Sequence, residues 1–69
     1  MDEKELLKKF GFNLKIERLS QKISQEQLAE NLNVSSVYIS NVENGKHNIS
    51  LVNALKFCNY FGKSVEYFL

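Results

Sequence analysis

The stretch Gln25–Glu43, QEQLAENLNVSSVYISNVE, decides the fold. Its apolar residues are Leu28, Ala29 and Leu32, followed by Val34, Val37, Ile39 and Val42. Their spacing predicts two short amphipathic helices meeting at a sharp corner, a helix-turn-helix pattern. The corner is placed at Asn33, where the backbone needs a left-handed conformation that only Gly, Asn and Asp reach at low cost. Each helix carries its own start signal. Ser24 stands three residues before Gln27, the spacing of a capping box, and Ile23 and Leu28 occupy the two positions of a hydrophobic staple. Ser35 repeats the device as N-cap of the second helix, with Val34 and Ile39 at staple spacing. Asn44 and Gly45 stop that helix.

Working outward, Glu3 to about Leu19 reads as a first helix with Leu6, Leu7, Phe10, Leu14 and Ile16 on its apolar side. Its acidic start suits the helix dipole. Gly11 inside it costs about 1 kcal/mol relative to Ala, so it either permits a close helix contact or marks a break that leaves residues 1–10 as a helical arm. On the other side of the motif, Lys46, His47 and Asn48 form a polar loop, and Ser50 is placed as the cap of a fourth helix running to about Phe61. Apolar residues nearly surround that helix, which predicts that it is the most buried element. Gly62 ends it, and residues 63–69 form a short fifth helix. The expected architecture is thus all-α, a single domain of five helices.

The composition bounds the function. With 69 residues the chain is one domain near the lower size limit for folding without staples. No stretch approaches a membrane span or a signal-peptide core, so the expected location is cytoplasmic with no membrane partner. The single cysteine, Cys58, has no internal disulfide partner and no Cys/His cluster exists for zinc, so neither metal nor other cofactor is expected. Cys58 reads as a small core hydrophobe, the alternative being a redox sensor. One His and no suggested pairing of nucleophile and carboxylate give no chemistry for an enzyme. A net charge of +1 is a weak footprint for a nucleic-acid binder, although Lys15, Arg18, Lys22, Lys46 and His47 lie on the motif side while Asp2, Glu3 and Glu5 lie in the N-terminal segment.

At these residues the chain resembles the DNA-binding domain of the lambdoid phage repressor and Cro type, the Xre-like class of regulators. The matching features are Gln25 opening the first motif helix, Ala29 at the small-residue position, Ile39 in the second helix, and the run Glu43-Asn44-Gly45-Lys46 after it. The resemblance covers about Gly11 to Leu69 and implies a five-helix lambda-repressor-like bundle. It also implies an ion pair between Arg18 and Glu43, the alternative being two solvated surface charges. Ser36, Val37 and Asn41 correspond to the family's principal base contacts, within a set of Ser35, Ser36, Val37, Tyr38 and Asn41 near the start of the recognition helix. Tyr38 is open between a nucleic-acid contact and lateral packing. Phosphate contacts are implied for Gln25, Asn44, Lys46, His47 and Ser50. Phe68 would pack into the core, and the apolar ending suggests a homodimer interface of Tyr60, Tyr67 and Leu69, the alternative being scattered surface residues.

The departures from the family pattern are the absence of Arg or Lys from the recognition helix, Ile49 where many relatives carry Pro, and Lys63 before the last helix where an apolar residue is common. The expected function is a homodimeric, sequence-specific regulator binding double-stranded DNA at a palindromic operator, with no small-molecule ligand. Restriction-modification controllers and Cro-like proteins are compact regulators of this kind. The alternative is a protein-interaction module, an antitoxin or adaptor, in which DNA binding is vestigial.

Overall fold

The computed structural model describes residues 2–46 and 48–69. Its order is α1 Glu3–Ser20, α2 Gln25–Leu32, α3 Ser36–Glu43, α4 Leu51–Phe61 and a closing 3-10 turn, Val65–Phe68. The described residues contain no strand.

Local chemistry sets the boundaries. Asp2 caps α1 by accepting the Glu5 amide at 2.8 Å. Ser24 and Gln27 form the reciprocal capping box at the start of α2, with the Gln27 amide reaching Ser24 Oγ at 3.0 Å and the Ser24 amide reaching Gln27 Oε1 at 3.2 Å. Asn33 is left-handed at φ 59°, ψ 45°, and lets the Val34 amide reach back to the Ala29 carbonyl at 2.9 Å, which turns the chain into α3. The hydroxyls of Ser35 and Ser50 cap α3 and α4 in the same way, accepting from the amides of Tyr38 and Asn53.

The core draws on every element: Phe10 and Leu14 of α1, Leu28 and Ala29 of α2, Ile39 and Val42 of α3, Phe57, Cys58 and Phe61 of α4, and Phe68. Phe10 packs against both α4 and the closing turn, its ring centre 6.2 Å from that of Phe57 and 5.5 Å from that of Phe68. Burial pushes the Cys58 thiol above its ordinary value, which keeps it a protonated core group.

Gly11 lies inside a continuous α1. A β-carbon there would stand 2.0 Å from the Val42 carbonyl oxygen, so the glycine is what allows α1 and the end of α3 to touch backbone to backbone.

Three expectations are corrected in detail. The fifth element is a single 3-10 turn rather than an α-helix, closed by bonds from Tyr67 to Ser64 and from Leu69 to Glu66. Four residues make too few i to i−4 bonds to offset helix nucleation, and Ser64 makes no capping bond. Helix α4 is not the most buried element: Leu51, Val52 and Leu55 are 72%, 65% and 44% exposed, because it buries only the face that carries Phe57, Cys58 and Phe61. On α1, Leu6 and Ile16 are exposed too, since the buried stripe narrows to Phe10, Gly11, Leu14, Glu17 and Arg18.

Candidate nucleic-acid interface

The residues that matter most to the site lie behind it. Arg18 on α1 presents its guanidinium as a fork to Glu43, the last residue of α3, with Nε to Oε2 at 2.6 Å and Nη2 to Oε1 at 3.0 Å. Its third nitrogen donates to the Ile23 carbonyl at 2.8 Å, and Gln25 Nε2 donates to Glu43 Oε1 at 3.0 Å. Both charges are withdrawn from solvent, yet no buried side-chain nitrogen or oxygen among the described residues lacks a partner. A buried pair is tolerable on that condition, because desolvation is offset only when geometry and remaining hydrogen bonds are both satisfied. The network joins α1, the loop before α2, the first residue of α2 and the end of α3 at one point.

A second tie holds the start of α3. The Tyr38 hydroxyl accepts from Asn53 Nδ2 of α4 at 2.9 Å, and its half-buried ring packs on the core. The ring of Tyr38 thus packs laterally, one of the two roles left open by the sequence. Val37, by contrast, is 67% exposed on the outer face, with Ser35 exposed beside it and Ser36 and Asn41 half-buried.

The residues expected at phosphates lie at three places: the start of α2, the loop after α3 and the start of α4. One Gln25 side-chain N–H is committed to Glu43, which leaves its backbone amide in the first turn of α2 and the second side-chain N–H as what it can offer an anion. Asn44 ends α3 and is exposed, as is Lys46, whose amide bonds the Asn41 carbonyl at 2.9 Å. Ser50 is exposed at the start of α4, and its hydroxyl accepts the Asn53 amide. His47 lies outside the described residues.

The apolar residues expected at a subunit contact divide. The Tyr60 hydroxyl accepts from Asn31 on α2 at 3.0 Å, and the residue stands nine positions after Leu51, about half a turn round α4 at roughly 100° per residue. Tyr67 and Leu69 are 51% and 42% exposed. The Tyr67 hydroxyl donates to Glu17 Oε1 at 2.8 Å, Gln21 donates to the other Glu17 oxygen, and Lys63 lies 4.7 Å from the Tyr67 ring centre. The Tyr67 bond, the Gln21 bond and the Lys63 charge hold the Glu17 carboxyl below its ordinary value. Asn13 closes the same junction by donating to the Phe68 carbonyl at 2.8 Å.

Sequence reasoning missed the Gln25–Glu43, Tyr38–Asn53 and Tyr67–Glu17 bonds. Asn53, polar within an apolar helix, was the one signal that α4 had a polar neighbour to satisfy. Among the described residues no cluster of His, Cys, Asp and Glu is suited to hold a metal ion, and no helix is long and apolar enough to cross a membrane.

The likenesses to known proteins follow this geometry. The restriction-modification controller protein C.AhdI from Aeromonas hydrophila superposes with a TM-score of 0.83 at 35% identity, covering 91% of this chain and 96% of that one. The hypothetical transcription factor NHTF from Neisseria gives 0.86 at 30% identity over 100% of this chain and 79% of its own. The clp gene regulator ClgR from C. glutamicum gives 0.83 at 28% identity over 91% and 82%. No curated protein matches the chain in sequence. The helix-turn-helix family description matches residues 14–68, from the core of α1 to the closing turn. The chain belongs to the Xre- and Cro-like helix-turn-helix family of DNA-binding regulators, which are not enzymes.

Proposed function

We propose that this regulator binds a short, partly palindromic operator as a homodimer in the cytoplasm, reading bases with Ser36, Val37 and Asn41. The observation that carries the reading is the contrast across α3. One side is fixed by Ile39, Val42 and the buried Arg18–Glu43 pair, while Val37 stands two-thirds exposed on the other. Val37 offers a methyl surface to a thymine, and Asn41, about one turn on, has the paired donor and acceptor that select adenine. Ser35 borders this group, and Tyr38 orients it through Asn53. Gln25, Asn44, Lys46, His47 and Ser50 supply the phosphate contacts that set register.

For the dimer we propose the face of α4 made by Leu51, Val52 and Leu55 together with Tyr67 and Leu69. Tyr60, engaged with α2, falls outside it. Three large apolar side chains so exposed on one short helix are what a symmetric contact would cover.

Fluorescence anisotropy with the duplex upstream of the protein's own gene, against random duplex competitor, tests the reading. The wild type is expected to resist competition at two protomers per site. A Ser36→Ala, Asn41→Ala variant is expected to keep its fold and lose the preference. Preference unchanged in that variant would refute the base assignment, and wild-type binding no better than to random DNA would favour the interaction-module alternative.

A further inference from the structure

Helix α1 carries a second apolar stripe that the described residues leave more than half exposed. Phe12, Ile16 and Leu19 are 59%, 51% and 52% exposed. Their spacing of four and then three residues gathers them within an arc of about 60°, and that arc lies about half a turn from Phe10 and Leu14. None of the residues proposed to face DNA, and none of those proposed for the dimer, lies on it.

The charge around the stripe is one-sided. Lys8 and Lys15 border it on one edge and Lys9 on the other, all exposed, and no acidic residue occurs from Leu6 to Ile16. Glu5 alone lies in line with it, at the amino-terminal end, and a shallow hollow between Glu5, Lys8, Lys9 and Phe12 adjoins that end. Glu17, the next carboxylate along, is turned to Tyr67 and Gln21.

From this arrangement we infer that the outer face of α1 is a docking surface for an amphipathic helix whose apolar stripe is flanked by carboxylates. A single helix laid along the stripe matches its width, in the manner of helix recognition by i, i+3, i+4 and i+7 anchors. A second copy of α1 matches poorly, because its own edges are cationic and would bring lysines toward lysines. The expected contact is weak and salt-sensitive, since its charged rim is solvent-exposed.

The test titrates the full chain, labelled with nitrogen-15, with a synthetic leucine-rich helix of about 18 residues flanked by glutamate, and separately with the same helix flanked by lysine. The glutamate helix is expected to shift the amides around Phe12, Ile16 and Leu19 and to weaken as salt rises; the lysine helix is expected to leave them unmoved. Ile16→Asp should lower the affinity at least about tenfold while helicity by circular dichroism is unchanged. Should that variant unfold, Lys9→Glu with Lys15→Glu decides instead, because it is expected to exchange preference for the glutamate helix for preference for the lysine one. Equal binding of both helices, shifts confined to α4, or partition of the stripe only into anionic phosphatidylserine vesicles would each overturn the proposal. Self-association that Ile16→Asp abolishes would overturn it as well.

Discussion

At the scale of single residues, two positions have conformations or charges that their side chains do not explain alone. Lys22 adopts φ 58°, a left-handed backbone that costs a β-carbon-bearing residue roughly 1 kcal/mol. Its side chain is exposed in the loop between α1 and α2. Replacement by glycine relieves the strain at some expense in unfolded-state entropy, so Lys22→Gly is expected to stabilise the fold by about 0.5–1 kcal/mol, read as a higher urea midpoint with an unchanged slope. Arg18 is the opposite case. Arg18→Met strands the Glu43 carboxylate and should cost about 3–5 kcal/mol, comparable with the whole stability of about 3–10 kcal/mol expected for a domain this size. Adding Glu43→Leu removes the stranded charge, and Gln25, half-buried, can turn its amide to water. The double variant is therefore expected to recover a large part of the loss in chemical denaturation, and a double variant no more stable than the single would show that the pair holds the fold by more than mutual neutralisation.

At the scale of elements, the junctions with α1 carry the argument. Gly11→Ala gains about 1 kcal/mol of helix propensity in isolation. Here the added carbon meets the Val42 carbonyl at 2.0 Å, a backbone atom that cannot rotate aside, so α3 must shift. Overpacking of this kind costs about 1–3 kcal/mol, and the expected net result is a lower melting temperature and weaker operator binding together. The second junction, Tyr67 with Glu17, is pH-dependent at both ends. The bonds from Tyr67 and Gln21 depress the Glu17 carboxyl, so its contribution is present above its ordinary value near 4.5 and is lost as pH falls through the lower folded value. The bond to Glu17 raises Tyr67, so that contribution is complete below about 10 and declines as pH rises beyond it. Tyr67→Phe is expected to flatten the melting temperature in the acidic window, and a profile identical to the wild type there would assign acid sensitivity to another group. These elements differ in how far they were legible. The turn at Asn33 and the caps at Ser24, Ser35 and Ser50 are encoded within four residues of themselves, and the chain alone predicts them. Gly11 was readable as a contact or a break, because only the approach of Val42, thirty-one positions later, distinguishes the two.

At the scale of the whole molecule, burial was what the sequence concealed. The periodicity of α4 is apolar nearly all round, which is equally the pattern of a central helix and of a helix with one face in the core and another bare. Leu51, Val52 and Leu55 prove to be the bare face, and no local feature of the chain marks it. In the proposed dimer that face would bear on affinity, because the charge of the molecule does so little. The net charge is +1, α3 contains no cation, and Lys46 is the lysine in the proposed phosphate set. A dimer neutralising one phosphate per protomer through Lys46 should show a slope of about −2 in log affinity against log salt. Specific binding then depends on two half-sites being engaged at once, so breaking the dimer should cost far more than losing the lysines. Val52→Asp tests this without touching the core, since Val52 is 65% exposed. Circular dichroism is expected to be unchanged, sedimentation to show a monomer, and operator affinity to fall by about 100-fold or more, toward that for random duplex. A Val52→Asp protein that remains dimeric would move the interface to Tyr67 and Leu69 alone. A monomeric variant with undiminished affinity would mean that one copy of α3, with its methyl and amide contacts, suffices for the operator.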